Sequence, residues 1–485
     1  MVRFIAINQP FVDQWSWRQS DVASIARNYS QHGFQFAYPQ IDWAGDQPGY
    51  VGTEFPILPF TAAVCYKFVG VHEWVGRGQA VILFAASLPF FFLLVREVFG
   101  QDAATWATFF YSFAPLNIFA GREFMPDVPS LSLAIIGIQF FLRWLAHERS
   151  TSLFAAAVLI SLSILIKLPT AIIGAPLLYL AWQKFHWNLF RQKTLWLFAA
   201  VALVPTFVWY WHAHQVAVKF YPYHFFGAGG IQIENLSWYW KIAKQIPAST
   251  LTPLVFVLAI PGMFAARRSN GLRIGMFHAW LVAMVLFIIV VGYGNRHQWY
   301  QLPLVPIAAA FAGMACAFLG SKLASRTLRM ALSILLVTGF GILSFVYARP
   351  FYWPVAAQFR DAGFELKLIT TPNSLIVAAD NGDPTIFYYA ERRGWHFLEK
   401  DGIYEGNPLD SGQMIVDLAK LRNRGATHLV FTANTIWWLD YYKEFAEHLL
   451  KTATLLEATP QFTLYELRAA TEKQNDKPFH PSGIR

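Results

Sequence analysis

A polytopic α-helical membrane protein carrying a C-terminal α/β domain is the fold class that the sequence predicts, and three observations predict it. The chain of 485 residues is 55% hydrophobic and only 14% charged, well below the charged share of soluble domains. Windows without formal charge, close to the length of a spanning helix, recur as far as residue 349. Beyond that point charge returns, and short apolar runs alternate with stretches of helical spacing.

The uncharged windows lie at 78 to 95, 103 to 121, 128 to 142, 151 to 166, 168 to 182, 194 to 211, 250 to 266, 274 to 294, 302 to 321 and 330 to 348, which gives about ten spans. Lys and Arg collect in every second loop: Arg96; Arg143 and Arg149; Lys184, Arg191 and Lys193; Arg267, Arg268 and Arg273; Lys322, Arg326 and Arg329. The positive-inside rule makes these loops cytoplasmic. Residues 1 to 77, 122 to 127, Lys167, 212 to 249, 295 to 301 and the chain after 349 then face outward. No cleavable signal peptide is visible. An outward start without a preceding span predicts that a first transmembrane helix is missing, with R-F-I-A-I as its last turn and eleven spans in the intact protein.

Residues 1 to 77 form a first extracytoplasmic loop, in which the short apolar segment 55 to 71, carrying Lys67, reads as an interfacial helix. Residues 78 to 348 form the transmembrane domain. In residues 349 to 469, L-I-V-A-A-D (375 to 380), T-H-L-V-F-T-A (427 to 433) and T-L-Y-E-L read as strands, with helices over 411 to 424 and 438 to 451. Their alternation makes a small α/β domain. The tail from 470 to 485 is polar and expected to be disordered. A net charge of +9 taken alone suits a nucleic-acid partner, but the basic residues sit in short loops between apolar runs, which argues against that class. Cys65 and Cys316 lie in apolar surroundings and read as buried.

Nearly every unusual polar residue falls on the outward side. Asp13, Arg18 and Asp21 stand in D-Q-W-S-W-R-Q-S-D, followed by Asp42, Asp46 and Glu54. Arg122, Glu123 and Asp127 stand in G-R-E-F-M-P-D-V-P, Lys167 divides two apolar runs, and Arg296, His297 and Tyr300 close another outer turn. Acids and bases gathered at one membrane boundary predict a site that faces outward and opens toward lipid. A carboxylate can deprotonate an incoming hydroxyl or amine. Arg or Lys can stabilise a departing phosphate where water is scarce.

The blocks W-R-Q-S-D-V-A-S-I-A-R-N-Y, G-Y-V-G-T-E-F-P-I-L-P-F, G-R-E-F-M-P-D-V-P-S-L-S-L and W-Y-Q-L-P-L-V-P resemble, in order and loop placement over residues 13 to 350, those of GT-C membrane glycosyltransferases. The likeness is to the protein O-mannosyltransferase and lipid A aminoarabinose transferase branch. It implies an enzyme that takes a sugar from a polyprenyl phosphate and passes it to a lipid, glycan or protein acceptor on the outer face. It implies Asp21 as base, with Asp13 as its rival, and Asp127 as a second outward acid that orients the acceptor. Arg18, Arg122, Lys167 and Arg296 become candidate phosphate ligands, with His297 and Tyr300 as neutral partners. Glu54 stands where the aminoarabinose transferases carry Glu-Lys-Pro-Pro, but Phe55 follows it here, so that branch's phosphate-binding Lys is absent.

Each residue also has a plainer reading. Asp21 reads as a first-turn helix acid behind an N-cap Ser20, Asp127 as another N-terminal acid, and the basic residues as interfacial anchors. Trp209, Tyr210, Trp211, Trp238, Tyr239 and Trp240 read as anchors of the long outer loop. No cofactor is required. A divalent metal is possible, but no D-x-D stands in the first loop, and D-N-G-D-P (380 to 384) reads as a strand-ending turn. The rival functions are a transporter or flippase of lipid-linked sugars and a non-catalytic partner in polysaccharide assembly. A transporter would place charge deep within its spans.

Overall fold

Most of the described residues between 57 and 348 are helical in the computed structural model, which describes residues 2–220, 231–266, 275–400, 403–404 and 406–468. The chain divides into two units, one holding residues up to Ile41 and Pro48–Arg360, the other Asp42–Gln47 and the chain from Asp361 onward.

In the first unit, α1 (Ser16–His32) precedes α2 (Ile57–Val69), α3 (Glu73–Phe99), α4 (Gln101–Phe113), α5 (Pro115–Ala120), α6 (Asp127–His147), α7 (Ser150–Ile166), α8 (Gly174–Phe185) and α9 (Lys193–Lys219). There follow α10 (Leu236–Gln245), α11 (Pro253–Ala266), α12 (Met276–Val290), α13 (Leu304–Lys322) and α14 (Arg326–Ala348), while α15 (Ala357–Ile369) begins in this unit and runs for most of its length in the second. Each uncharged window falls on a helix or on helices end to end. Among the described residues five helices are long and apolar enough to cross a membrane, or six if α10 and α11, bent by 104°, count as one broken span. The others are shorter because the chain is interrupted. Window 103 to 121 breaks at Ala114, which is extended (ψ 138°) because Pro115 follows it.

Close approach replaces bulk between helices, as expected where lipid already solvates apolar side chains. A Cβ on Gly313 of α13 would collide with the Ala103 carbonyl of α4. At 13 residues α2 is too short to cross a bilayer, and it leaves Cys65 exposed, so only Cys316 is buried as expected. Arg267, Arg268 and Arg273 and the tail from 470 lie outside the described residues.

The second unit is a five-stranded sheet. Its strands are β1 (Leu375–Ala379), β2 (Arg393–His396), β5 (Ala426–Thr432), β6 (Ala453–Ala458) and β7 (Phe462–Leu467), and β3 (Glu399–Lys400) with β4 (Ile403–Tyr404) forms a separate ribbon. The order is β2-β1-β5-β7-β6, parallel across the first three and antiparallel thereafter. Helices α16 (Thr385–Ala390), α17 (Ser411–Asn423), α18 (Trp437–Tyr441) and α19 (Lys443–Thr452) complete it. The helix expected over 438 to 451 is in fact two, because Tyr442 leaves helical geometry (ψ 69°) and donates its hydroxyl to the Pro408 carbonyl. D-N-G-D-P is a turn, in which Asp380 accepts from the Gly382 amide at 3.0 Å and from His396 Nδ1 at 2.8 Å. Asp42 and Asp46 belong to this unit: the Asp42 carbonyl accepts from the Gly394 amide, and Asp46 pairs with Arg424 at 2.6 Å.

Candidate active site

The polar residues singled out from the sequence of the first unit separate into two ion clusters. In the first, Asp13 Oδ2 accepts from Arg77 at 3.2 Å and from Arg122 at 3.1 Å, while Oδ1 accepts from Gln19 Nε2 at 2.9 Å. Arg122 Nε lies 3.1 Å from Glu123, and its guanidinium covers the Tyr352 ring at 4.5 Å. The side chains of Asp13, Arg77, Arg122 and Glu123 are all 0% exposed. Burial pushes the Glu123 carboxyl up to about 8, against the pull of the Arg122 guanidinium.

The second cluster is a chain of alternating charge. Arg18 donates through Nη1 to Asp21 and through Nη2 to both oxygens of Glu54, at 2.6 and 2.8 Å. Lys167 Nζ donates to Glu54 Oε1 at 3.2 Å and lies 3.5 Å from Asp127 Oδ1. The order is Asp21, Arg18, Glu54, Lys167, Asp127. Burial alone would raise the Glu54 carboxyl, but the two cations outweigh it and hold Glu54 well below the usual carboxylate range.

Local structure explains how distant residues meet. Helix α1 begins at Ser16 rather than after Ser20, so Asp21 lies a turn further in than the sequence suggested and faces the same side as Arg18. Residues 51 to 55 run without helix, braced by Trp209 Nε1 on the Thr53 carbonyl (3.0 Å) and by the Phe55 amide on the Leu165 carbonyl (3.2 Å). Gly52 permits this approach, since a Cβ there would strike the Ala213 carbonyl of α9. Trp209 is therefore a buried brace of the site loop rather than an exposed anchor, whereas Trp211 and Trp240 remain exposed. Lys167 follows the last residue of α7 in extended geometry, and Asp127 is the first residue of α6.

Two cavities border the chain. One is lined by Arg18, Asp21 and Glu54 with Ile25, Phe55 and Leu58. The other is lined by Asp127 and Lys167 with Phe287, Trp299, Tyr300 and Pro303. Asp127 Oδ2 is buried and has no hydrogen-bond partner among the described residues. The Tyr300 ring lies 5.2 Å from Lys167 Nζ. His297 stacks on Trp299 at 4.4 Å, and burial together with the Arg296, Lys167 and Arg18 cations pushes it down to about 3, so it is neutral at physiological pH.

Of the residues singled out from sequence, the structure thus brings Arg18, Asp21, Glu54, Asp127, Lys167 and Tyr300 together. Asp13 and Arg122 go to the closed cluster. Arg296 is exposed and folds back over Tyr293, 3.9 Å from the ring centre. Sequence reasoning missed Arg77, Gln19 and Thr53, and took Trp209 for an anchor. Only Arg77, a single cation at the start of an apolar run, carried a signal. Among the described residues no three His, Cys, Asp or Glu side chains form a group that could hold a metal.

The family model described as dolichyl-phosphate-mannose-protein mannosyltransferase matches residues 46–211. No curated protein matches the chain. Among solved structures, ArnT from Cupriavidus metallidurans in the apo state matches with a TM-score of 0.71 at 17% identity, over 96% of this chain and 95% of that one. The same protein bound to undecaprenyl phosphate gives 0.65 at 15% identity, over 96% of each chain. The Archaeoglobus fulgidus oligosaccharyltransferase in complex with Zn and sulfate gives 0.61 at 13% identity, over 96% of this chain and 73% of that one. The resemblance read from the sequence blocks holds at the level of fold: this is a multi-pass helical membrane protein of GT-C type with a small C-terminal sheet domain.

Proposed function

We propose that the protein is a glycosyltransferase that moves a sugar from a polyprenyl-phosphate donor to a lipid, glycan or protein acceptor at the outer face of the plasma membrane. The observation that carries this reading is the chain Asp21, Arg18, Glu54, Lys167, Asp127, in which two cations are framed by carboxylates and bordered by two cavities. The ArnT structure bound to undecaprenyl phosphate and the family match over residues 46–211 support the donor class. The charge distribution of the loops supports the outward orientation.

The reaction is a single displacement. Asp21 takes the proton of the acceptor hydroxyl or amine as that atom bonds to the sugar's anomeric carbon from the face opposite the phosphate. The carbon-to-phosphate-oxygen bond breaks, and the oxygen leaves with the electron pair. Arg18 and Lys167 hold the resulting phosphate in a site largely closed to water. Asp127, through its unpartnered Oδ2, orients the acceptor, while neutral His297 and Tyr300 complete the wall. Asp13 and Arg122 serve the framework, and Arg296 lies apart from the chemistry.

The test is turnover by the purified chain in lipid nanodiscs, read as polyprenyl phosphate released from a panel of polyprenyl-phosphate sugars. Asp21→Asn should lower it by about a hundredfold or more, the scale of a lost general base. A folded Asp21→Asn protein with wild-type turnover would sink the assignment.

A further inference from the structure

Building on the donor site just proposed, we infer that Glu54 is a built-in stand-in for the donor phosphate, an internal anion that occupies the phosphate position until the donor displaces it. The carboxylate of Glu54 is held as an oxyanion ligand would be. Its two oxygens receive Arg18 Nη2 at 2.6 and 2.8 Å, Lys167 Nζ at 3.2 Å and the Thr53 hydroxyl at 3.0 Å. A guanidinium nitrogen shared between two carboxylate oxygens can be shared in the same way between two phosphate oxygens. A phosphate that enters between Arg18 and Lys167 therefore finds its place filled.

Charge favours displacement over simple addition of a second anion. Counted formally, three carboxylates (Asp21, Glu54, Asp127) already face two cations (Arg18, Lys167) before any phosphate arrives. A further anion within about 4 Å of Glu54 would meet strong repulsion in a site so poorly hydrated. The surroundings suit exchange. Arg18 keeps Asp21 and Lys167 keeps Asp127 when Glu54 departs, so neither buried cation is left bare. Glu54 itself rides on the helix-free segment 51 to 55 and borders the cavity that it would swing into. Its function in the empty enzyme is to keep both cations aimed at one point and to refuse small anions too weak to displace it.

The sign of one mutational effect decides the matter. A ligand or strut is weakened by neutralisation, whereas a competitor's removal strengthens binding. The dissociation constant of undecaprenyl phosphate is measured for the full chain in nanodiscs, together with the rise in Tm that the lipid produces. Glu54→Gln should bind about tenfold more tightly or better, with a larger lipid-induced rise in Tm whatever its starting stability. Thr53→Val, which loosens the grip on Glu54 while leaving its charge, should shift binding the same way by a smaller factor. Weaker or unchanged binding in Glu54→Gln overturns the stand-in while leaving the donor reading intact. Failure of wild type and both variants to bind the lipid overturns both.

Discussion

The two ion clusters of the first unit are built from similar parts and come to opposite ends. In one, Asp13 joins Arg77 to Arg122, Glu123 lies beside Arg122, and every side chain is 0% exposed. In the other, three carboxylates outnumber Arg18 and Lys167, the side chain of Arg18 is 11% exposed, and a cavity lies at each end. Sealed charge with fixed partners holds loops together. Mismatched charge beside open space is poised to accept something more. Position in the sequence does not separate the two, because both draw on the segment before α2 and on G-R-E-F-M-P-D.

The sharpest way to break the comparison is to remove the hub of the closed cluster. Asp13→Ala would leave Arg77 and Arg122 without the carboxylate that each contacts. Stripping one partner from a buried ion pair costs about 3–5 kcal/mol. The expected outcome is a severe loss in Tm and poor recovery from membranes. Near-normal stability together with lost transfer would instead move Asp13 into the chemistry.

Lys167→Gln should do the reverse. Its ammonium contacts Glu54 and Asp127 beside a cavity, so undecaprenyl phosphate binding and turnover should fall together, by about ten- to a hundredfold, as expected for loss of one charge-assisted contact. Stability should fall less than in Asp13→Ala, because Glu54 keeps both of its contacts with Arg18, although the formal charge of the cluster becomes more negative. Equal losses of stability in both variants would erase the distinction between framework and site.

What the sequence disclosed follows from the range of the interactions involved. Helical windows were legible because the absence of charge is a local property. The break at Ala114 was less so, although Pro115 announces it once the pair is read together. β2 was illegible because R-G-W-H carries neither alternation nor an apolar run, and its place beside β1 depends on backbone pairing alone. Arg18, Glu54 and Lys167 were each visible as polar residues in outer turns. Their meeting was not, since 36 and 113 residues separate the bonded pairs. Burial of Asp13 and Arg122 was equally hidden, because a charge in a sequence does not reveal whether a partner seals it. Trp209 was misread for the same reason: Trp is common at interfaces, and only the Thr53 carbonyl 156 positions away marks it as a brace.

The finest test of the comparison is the pH dependence of the closed cluster. Glu123 has an ordinary value of 4.5 and is pushed up to about 8 in the fold by burial, with Asp13 adding to the effect and the Arg122 and Arg77 guanidiniums opposing it. A carboxyl whose folded value exceeds its unfolded one binds its proton more tightly in the native state. The stability it contributes is complete below pH 4.5 and is lost as pH rises toward about 8. Glu54 has the opposite sense, since its value is depressed by Arg18 and Lys167, and its contribution is lost only as pH falls below the usual carboxylate range. Glu123→Gln fixes the neutral state. Its Tm should therefore match wild type at pH 5 and exceed it by a few degrees at pH 8, with the gap opening between those limits. Parallel curves would mean that Glu123 is ionised and paired with Arg122 throughout, and Glu54→Gln should show no such gap in this range.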